Sequence, residues 1–253
     1  LKLIAQKDST EGPVADRFYC PGPWRDGRAE LEDDEARHLA KVRRVEVGAE
    51  VQLFDGKGRA AFAEVVEIKK DRVSLTILRD DSSDRSLPGN LVLATAVPKG
   101  DRFDWLIEKA TEVGVTRLVP ILTARSVVDP RTAKLDRLRR LIIEACKQSG
   151  RSRLMELDPP TPWPIWLQKR SGQGQSFLAD PGGESVVHLA SAGEFAAGIE
   201  IAVGPEGGFT AEEVAEAESK RFRRIGLGPT ILRIETAAIA ACVAVLTVTN
   251  SNQ

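Results

Sequence analysis

The sequence has little of what disulfide frameworks, metal sites and charge-relay hydrolases are built from. Its three cysteines, Cys20, Cys146 and Cys242, are odd in number and far apart, which fits neither a disulfide scaffold nor a zinc site. No metal is expected, and a reducing cytoplasm is the expected compartment. The two histidines, His38 and His188, have no serine elbow or paired carboxylate nearby, which argues against a hydrolase triad. No apolar run approaches the roughly 20 residues that span a bilayer, so no membrane association is expected. The first residues are mixed and polar, unlike a secretory signal. The chain opens at Leu1, and an initiator methionine or a few leading residues are expected before it. Trp24, Trp105, Trp163 and Trp166 are scattered, so no platform of stacking rings is indicated.

An excess of one charge is also missing. With 36 basic and 37 acidic residues the formal net charge is −1, which excludes a strongly basic coat for nucleic acid. The distribution is uneven. Arg131, Lys134, Arg137, Arg139, Arg140, Lys147, Arg151 and Arg153 are opposed in their stretch only by Asp136 and Glu144. Such a stripe holds a polyanion or is a solvated helix face, and charge alone does not decide.

What is present suggests two domains. Short runs rich in β-branched and aromatic residues lie at Asp16 to Tyr19, Glu50 to Phe54, Ala61 to Ile68 and Arg72 to Ile77. Turn signals at Asp55-Gly56-Lys57-Gly58 and Lys70-Asp71 separate them. A short helix is predicted over Asp33 to Val42, capped by Asp33 or Asp34, and the whole reads as a small barrel. The polar stretch from Asp80 to Gly89 is the boundary, giving domains 1–83 and 84–253. Beyond it, strands alternate with helices. Strands are predicted at Leu91 to Val97, Arg117 to Ile121, Ser176 to Ala179, Ile199 to Val203 and Arg223 to Leu227. One helix carries Phe103, Leu106, Ile107, Ala110 and Val113 on a single face and closes at Gly114. Another begins at Thr132 with Leu135, Leu138, Leu141, Ile142 and Ala145 inward. Cys146 on it and Cys242 near the end are expected as small core fillers. Pro159 to Pro164 reads as a stiff connection. Thr210 with Glu213 forms a capping box, and the last helix, Thr236 to Val248, is apolar nearly all round and should be buried.

Two segments carry chemistry. In Ile199-Glu200-Ile201-Ala202-Val203-Gly204-Pro205-Glu206-Gly207-Gly208-Phe209-Thr210 a buried strand runs into a glycine-rich loop and a capped helix. That is where open α/β sheets bind ligands. The loop lacks both the Walker Lys-Ser/Thr and the dinucleotide spacing, and Glu206 would repel a phosphate. It is a site for a ligand that is not polyanionic, or a plain tight turn. In Ile225-Gly226-Leu227-Gly228-Pro229-Thr230-Ile231-Leu232-Arg233-Ile234-Glu235-Thr236-Ala237 a strand again leads through a Gly/Pro loop into a helix. Arg233 and Glu235 stand at the entrance of an apolar helix, where charges are costly unless paired or facing a cleft. They read as a local ion pair or as part of a site shared by both loops.

Taken together, the chain resembles the small-subunit ribosomal RNA uridine-N3 methyltransferase family (RsmE family) of the SPOUT class. The likeness covers nearly the whole sequence. It rests on Arg17-Phe18-Tyr19, on His38 to Arg44 with Gly48, and on Lys99-Gly100-Asp101-Arg102. Glu108 to Val115, Glu144 to Arg151 and the two loops complete it. Ala124 before Arg125-Ser126, Arg43 and Lys147 depart from the family's usual pattern. The resemblance implies a trefoil-knotted α/β methyltransferase domain preceded by a small PUA-like β-barrel that grips RNA. It also implies a homodimer with sites near its interface, S-adenosylmethionine as cofactor, and one uridine of 16S ribosomal RNA in the small ribosomal subunit as target.

The cofactor residues it implies are Leu178, Ala179, Val203, Gly204, Pro205, Glu206, Gly207, Leu227, Gly228, Ile231, Leu232, Arg233, Thr236 and Ala237. Uridine N3 is a poor nucleophile until its proton leaves, and a guanidinium favours the deprotonated base. Arg233 is the first candidate for that role and Arg17 the second. Glu206 is placed at the cofactor's positive end or at an adjacent amide, and the group that accepts the proton, water included, stays open. RNA contacts are assigned to Arg17, Lys41, Arg43, Arg44, Lys99, Arg102, Arg151 and Arg153. Other readings are a non-catalytic RNA-binding or ribosome-assembly factor, an ordinary doubly wound nucleotide-binding enzyme, and a SPOUT ribose 2′-O-methyltransferase.

Overall fold

The computed structural model describes residues 16–81, 89–128, 135–170, 172–186 and 198–250, with side chains to 247. Within it the chain forms two compact units, Leu1–Asp84 and Arg85–Gln253. Residues 82–88 of the sequence boundary, Arg131, Thr132, Lys134 and His188 lie outside the described residues.

The first unit is a five-stranded mixed sheet in the order β1-β3-β4-β5-β2. Its strands are β1 (Arg17–Tyr19), β2 (Arg28–Glu32), β3 (Glu50–Phe54), β4 (Ala60–Lys69) and β5 (Arg72–Asp80). β1 runs parallel to β3 and the other pairs are antiparallel. The small barrel expected from sequence is present as a mixed sheet whose edges β1 and β2 do not pair among the described residues. Phe18, Leu31, Leu39, Val51, Leu53, Val65, Val73 and Leu75 fill its core. β2 escapes a composition-based reading because Arg-Ala-Glu-Leu-Glu has no β-branched residue. Only its alternation, with Ala29 and Leu31 inward, marks a strand. The predicted helix is real but broken: α1 (Asp33–Arg37) passes into a π-helical turn, His38–Arg43. Its cap is Glu32, without a side-chain hydrogen bond, rather than Asp33 or Asp34.

The second unit is an all-parallel sheet in the order β12-β10-β11-β6-β7-β8, with β9 paired to β7. The central strands are β6 (Leu91–Thr95), β7 (Arg117–Leu122), β10 (Gln175–Ser185), β11 (Ile199–Val203) and β12 (Phe222–Gly226). β8 (Glu156–Leu157) and β9 (Thr161–Pro162) are two-residue strands. β11 is buried along its whole length, as a strand covered on both faces must be. The helices are α2 (Arg102–Glu112), α3 (Leu135–Ser149), α4 (Trp163–Lys169), α5 (Ala211–Ser219) and α6 (Ile234–Asn250). Gly114, with φ of 99°, closes the turn after α2. Leu135 at the start of α3 is exposed, a correction to its predicted inward placement, whereas Leu138, Ile142 and Ala145 are buried.

The proline-rich segment does more than connect. It supplies β9 and starts α4, whose Trp163 is completely buried. Trp163 stacks with Trp166 at 5.5 Å, Phe209 at 4.8 Å and Phe222 at 6.3 Å between ring centroids. Behind this cluster the Arg170 guanidinium pairs with Glu200, both side chains more than nine-tenths buried. It also donates to Ser176 Oγ at 2.8 Å and lies 4.6 Å from the Phe222 ring centroid. The end of α4 is thereby tied to β10, β11 and β12.

All three cysteines are free and fully buried. Burial pushes the Cys242 thiol up to about 12. A thiol ionises less readily in the folded chain than in the unfolded one, so this group's stabilisation is complete below the unfolded value of 9.0. It is lost as pH rises toward 12. Native protein is expected to give no fast reaction with an aromatic disulfide reagent at pH 8 and three equivalents after denaturation. Prompt labelling of a native thiol contradicts this packing.

Candidate functional site

Strand register puts the two glycine-rich loops at the same end of the sheet, leaving β11 and β12 on either side of β10. Leu178 and Ala179 of β10 pair with Ala202 and Val203 of β11, and Ala179 also pairs with Ile225 of β12. The carboxyl ends of three neighbouring parallel strands thus share one edge of the sheet. The loops leaving them, 204–210 and 227–233, open from that edge, where crossover connections leave a crevice.

The first loop is held from three directions. A Cβ at Gly204 would meet the Phe209 ring at 3.0 Å, so Phe209 folds back over Gly204 onto Trp163. Gly208, with φ of 69°, makes the turn and its N–H donates to Pro205 O at 2.8 Å. The predicted capping box is present: Thr210 Oγ1 accepts from the Glu213 N–H at 3.2 Å, and Glu213 Oε2 from the Thr210 N–H at 2.9 Å. The other oxygen, Oε1, accepts from the Ala124 N–H at 2.8 Å, a bond that does not depend on which side chain residue 124 carries. Arg125, next in the β7 loop, donates through Nη1 to Gly207 O at 2.6 Å. It lies so close that a Cβ on Gly207 would meet its Cδ at 3.2 Å. Arg125 and Ala124 are site residues that the loops' own sequence does not announce. The Arg-Ser pair after β7 is the signal.

In the second loop Gly228 has φ of 124° in open space, so its lack of a side chain serves backbone shape. Ile231 is 92% exposed, while Leu227 and Leu232 are half-buried. Arg233 is exposed, and its carbonyl starts α6 by accepting from the Ala237 N–H at 2.8 Å. The local Arg233–Glu235 pair does not form. Glu235 is buried and turns instead to Arg102 Nη1 at 3.7 Å, which leaves the Arg233 guanidinium unengaged among the described residues.

The third wall was not foreseen. Past Ala179, β10 continues through Asp180-Pro181-Gly182-Gly183 and pairs with β12 a second time, Glu184 with Ile225 and Ser185 with Gly226. Asp180 Oδ1 accepts from Gly182 N–H at 2.7 Å and from Arg224 Nη2 at 2.9 Å. Gly183 lies against the β12 backbone with no room for a Cβ. The Asp-Pro-Gly-Gly run was the available signal.

Of the cofactor residues expected from sequence, Leu178, Ala179 and Val203 lie on paired strands, and the two loops carrying most of the others leave the same end of the sheet. Of the residues assigned to RNA, Lys99 is exposed and Arg102 is partly engaged by Glu235. Arg153 is exposed. Arg151 is a correction: it is 3% exposed, and its Nη1 donates to Thr111 O at 2.7 Å and Val115 O at 2.9 Å. It ties the end of α2 to the connection that leads into β7 and is not available to a phosphate. Within the first unit Lys41, Arg43 and Arg44 are exposed, with Arg43 paired to Asp16. Arg17 there stacks its guanidinium 4.8 Å from the Phe54 ring centroid.

Residues 85–246 match the model of an RNA methyltransferase domain, and residues 31–78 that of an RNA methyltransferase PUA domain. The ribosomal RNA small subunit methyltransferase E of Mycobacterium tuberculosis is 32% identical over 242 residues, 92% of this chain and 91% of the relative. The chain belongs to the ribosomal RNA small subunit methyltransferase E family. The Bacillus subtilis member is 31% identical over 222 residues, 84% of this chain and 87% of its own length. Among solved structures, the family member from Neisseria gonorrhoeae bound to S-adenosyl methionine superposes with a TM-score of 0.83. It is 34% identical and covers 92% of this chain and 97% of its own. A putative methyltransferase from Legionella pneumophila in complex with the same cofactor gives 0.81 at 29% identity, covering 92% and 97%.

Proposed function

We propose that this protein methylates N3 of one uridine in small-subunit ribosomal RNA, using S-adenosylmethionine. The observation that carries the reading is the convergence of the 204–210 and 227–233 loops on one strand edge, in a chain of this family. The S-adenosylmethionine dependence and the ribosomal RNA substrate follow from family membership; the uridine N3 target is the finer proposal.

The site's chemistry fits that cofactor. Arg233 is the sole cation in the sequence of the two loops, which lack the Lys-Ser/Thr of a polyphosphate-binding loop. Exposed Ile231 and half-buried Leu227 and Leu232 offer apolar contact to a purine ring, and the Gly207–Gly208 main chain offers polar contact to its edge. Glu206 is an exposed carboxylate suited to a cationic group. When bound, the cofactor supplies an electrophilic methyl group on a sulfonium. Arg233 acts on the other reactant, stabilising negative charge on the uracil ring as its N3 proton leaves. Leu178, Ala179, Val203, Gly204, Pro205, Thr236 and Ala237 remain the proposed floor and rim of the pocket. Arg17, Lys41, Arg43, Arg44, Lys99, Arg102 and Arg153 remain the proposed RNA contacts.

We also propose the trefoil knot and the homodimer. Support for the knot is the path of the chain, which goes from β11 out to edge strand β12 and returns as α6 against α2, β6 and β11. Support for the dimer is exposed apolar surface at Ile231 and Val243; a stable monomer by light scattering at micromolar concentration rejects it.

The test of function is incubation with labelled S-adenosylmethionine and unmodified small subunits, then nucleoside mapping. A 3-methyluridine is the expected product. A 2′-O-methyl nucleoside overturns the N3 assignment, and cofactor binding by calorimetry without any transfer favours a non-catalytic factor.

Arg125 offers a separate check on the pocket. Its bond to Gly207 O fixes the loop's main chain, and a hydrogen bond from a charged donor is worth about 1.5–3 kcal/mol. Arg125→Ala is expected to weaken cofactor binding about tenfold by calorimetry with little change in the melting temperature, and Arg125→Lys to recover part. An unaltered dissociation constant would mean the loop holds its shape without that bond.

A further inference from the structure

The first unit has a recess that the reaction as described does not use. Pro21, Pro23, Trp24, Asp55, Lys57 and Arg59 line it, and its volume is about 380 Å³. One wall is the turn between β3 and β4. Gly56 and Gly58, with φ of 78° and 114°, allow that turn to be tight. Asp55 Oδ1 accepts the N–H of Lys57 at 2.7 Å and of Arg59 at 3.0 Å, and the Asp55 N–H donates to Arg59 O at 3.0 Å. The lining's carboxylate is thus occupied in holding the turn. The Lys57 and Arg59 side chains are exposed.

The facing wall is equally fixed. Trp24 Nε1 donates to Cys20 O at 3.0 Å, and the ring packs partly against the buried core. The Arg59 guanidinium lies 4.7 Å from the centroid of that ring, and its Nη2 reaches Asp80 Oδ1 at 3.2 Å. An aromatic ring, a guanidinium over it and an ammonium at the rim form a site for a flat group that carries an anion. A simple anion needs no ring, and an apolar segment needs no cations. The volume lies within the range of small-ligand pockets. Bases stack on tryptophan faces and on arginine planes, and the phosphate is taken by a nearby cation.

We infer that this recess holds one unpaired nucleotide of the RNA substrate, its base against Trp24 and Arg59 and its phosphate at Lys57. The inference rests on the RNA-methylating reading of the chain. It also revises the expectation that the tryptophans form no stacking platform: Trp24 and Arg59 are far apart in sequence, and only the β3–β4 turn brings them together.

The test uses the full chain and a fluorescent single-stranded oligouridylate, with anisotropy read over a range of KCl. Trp24→Ala or Arg59→Ala is expected to weaken binding about tenfold, by loss of one stacked base. Trp24→Phe should stay within about threefold of wild type, and Arg59→Lys should fall between, since an ammonium keeps the charge but not the plane. Lys57→Ala should lower the salt slope by about 0.7. An abasic oligomer of the same length should bind about tenfold more weakly than oligouridylate and should not distinguish wild type from Trp24→Ala. Thermal melts report whether Trp24→Ala is folded; where it is not, Arg59→Ala and Trp24→Phe carry the comparison. The inference is overturned if Arg59→Ala and Lys57→Ala leave affinity and salt slope unchanged, if the abasic oligomer binds as tightly as oligouridylate, or if wild type binds neither. Methylation of small subunits by wild type is followed in parallel. Active wild type with variants of unaltered KM for subunits removes the recess and leaves methyl transfer standing. Inactive wild type that binds its cofactor removes the functional reading instead.

Discussion

Arg233→Ala is expected to slow methyl transfer about a hundredfold or more while leaving cofactor affinity within a few-fold of wild type. The structure sharpens the reason. Glu235, the carboxylate two residues along, is turned away toward Arg102, so the Arg233 guanidinium is not neutralised by a local partner. Arg233 is exposed and has no partner among the described residues, as the proposed role toward the substrate base requires. Its loss should remove stabilisation on the order of 3 kcal/mol, comparable to deleting one oxyanion donor. Lysine should restore only part, because a point charge lacks the planar two-pronged contact. The variant's rate should rise more steeply with pH, since solvent must then remove a proton that the arginine helped release. Single-turnover methylation from neutral to alkaline pH, beside calorimetry, makes the measurement. Equal loss of rate and cofactor affinity would make Arg233 a cofactor clamp and pass the catalytic role to Arg17.

Gly183→Ala should be still more damaging, and for a steric reason. A Cβ at Gly183 would lie 2.5 Å from Ile225 N and 2.6 Å from Ile225 C. These are backbone atoms of β12 and have no rotamer by which to withdraw. Relief requires β12 to move away from β10 at the end where the 227–233 loop begins. Overpacking of this kind costs about 3 kcal/mol, or roughly 6–12 °C in melting temperature for a unit of this size. Cofactor binding should be lost together with the stability. Gly182→Ala is the matched control. Its Cβ would meet Arg224 Nη2 at 2.8 Å, the far end of a flexible side chain, so a change of a few degrees at most is expected. Equal melting temperatures for the two variants would mean the β10–β12 contact is not as close as described.

The contrast between these glycines shows where sequence reading stops. The glycines in 204–208 and 227–228 are legible because they punctuate strand-to-helix transitions, although the first loop by itself reads equally as a plain tight turn. Thr210 with Glu213 is legible because a capping box is local. Gly183 belongs to a second pairing of one strand with its neighbour, which no local pattern encodes. Arg151 misleads for the complementary reason. It sits in a basic run, and nothing nearby reveals that two carbonyls from residues 111 and 115 take its charge. Long-range partners likewise decide Arg125, which acts on Gly207 across the sheet edge. Trp163 reads as part of a proline-rich spacer, and only tertiary packing shows it against Phe209 of the 204–210 loop. Helices and buried strands of the second unit were recoverable because 3.6-residue and continuous apolar patterns are strong signals. β2 was not, since charged residues fill its outward face.

The strand order has a consequence for biosynthesis. Every strand of the first unit has its partner once residue 80 has left the ribosome. β6 gains β7 soon after it is made, but its other neighbour, β11, pairs Leu91 with Ile199 and is translated much later. Until then one edge of an apolar strand is uncovered, in a nascent chain whose leading unit already has all of its strands. Slow, non-local parallel pairing of this kind exposes a chain to aggregation. Overproduction at high translation rates should therefore fill inclusion bodies with molecules whose first unit is native and whose second is not. Limited proteolysis of resolubilised aggregates would reveal them by a protected fragment ending near residue 84.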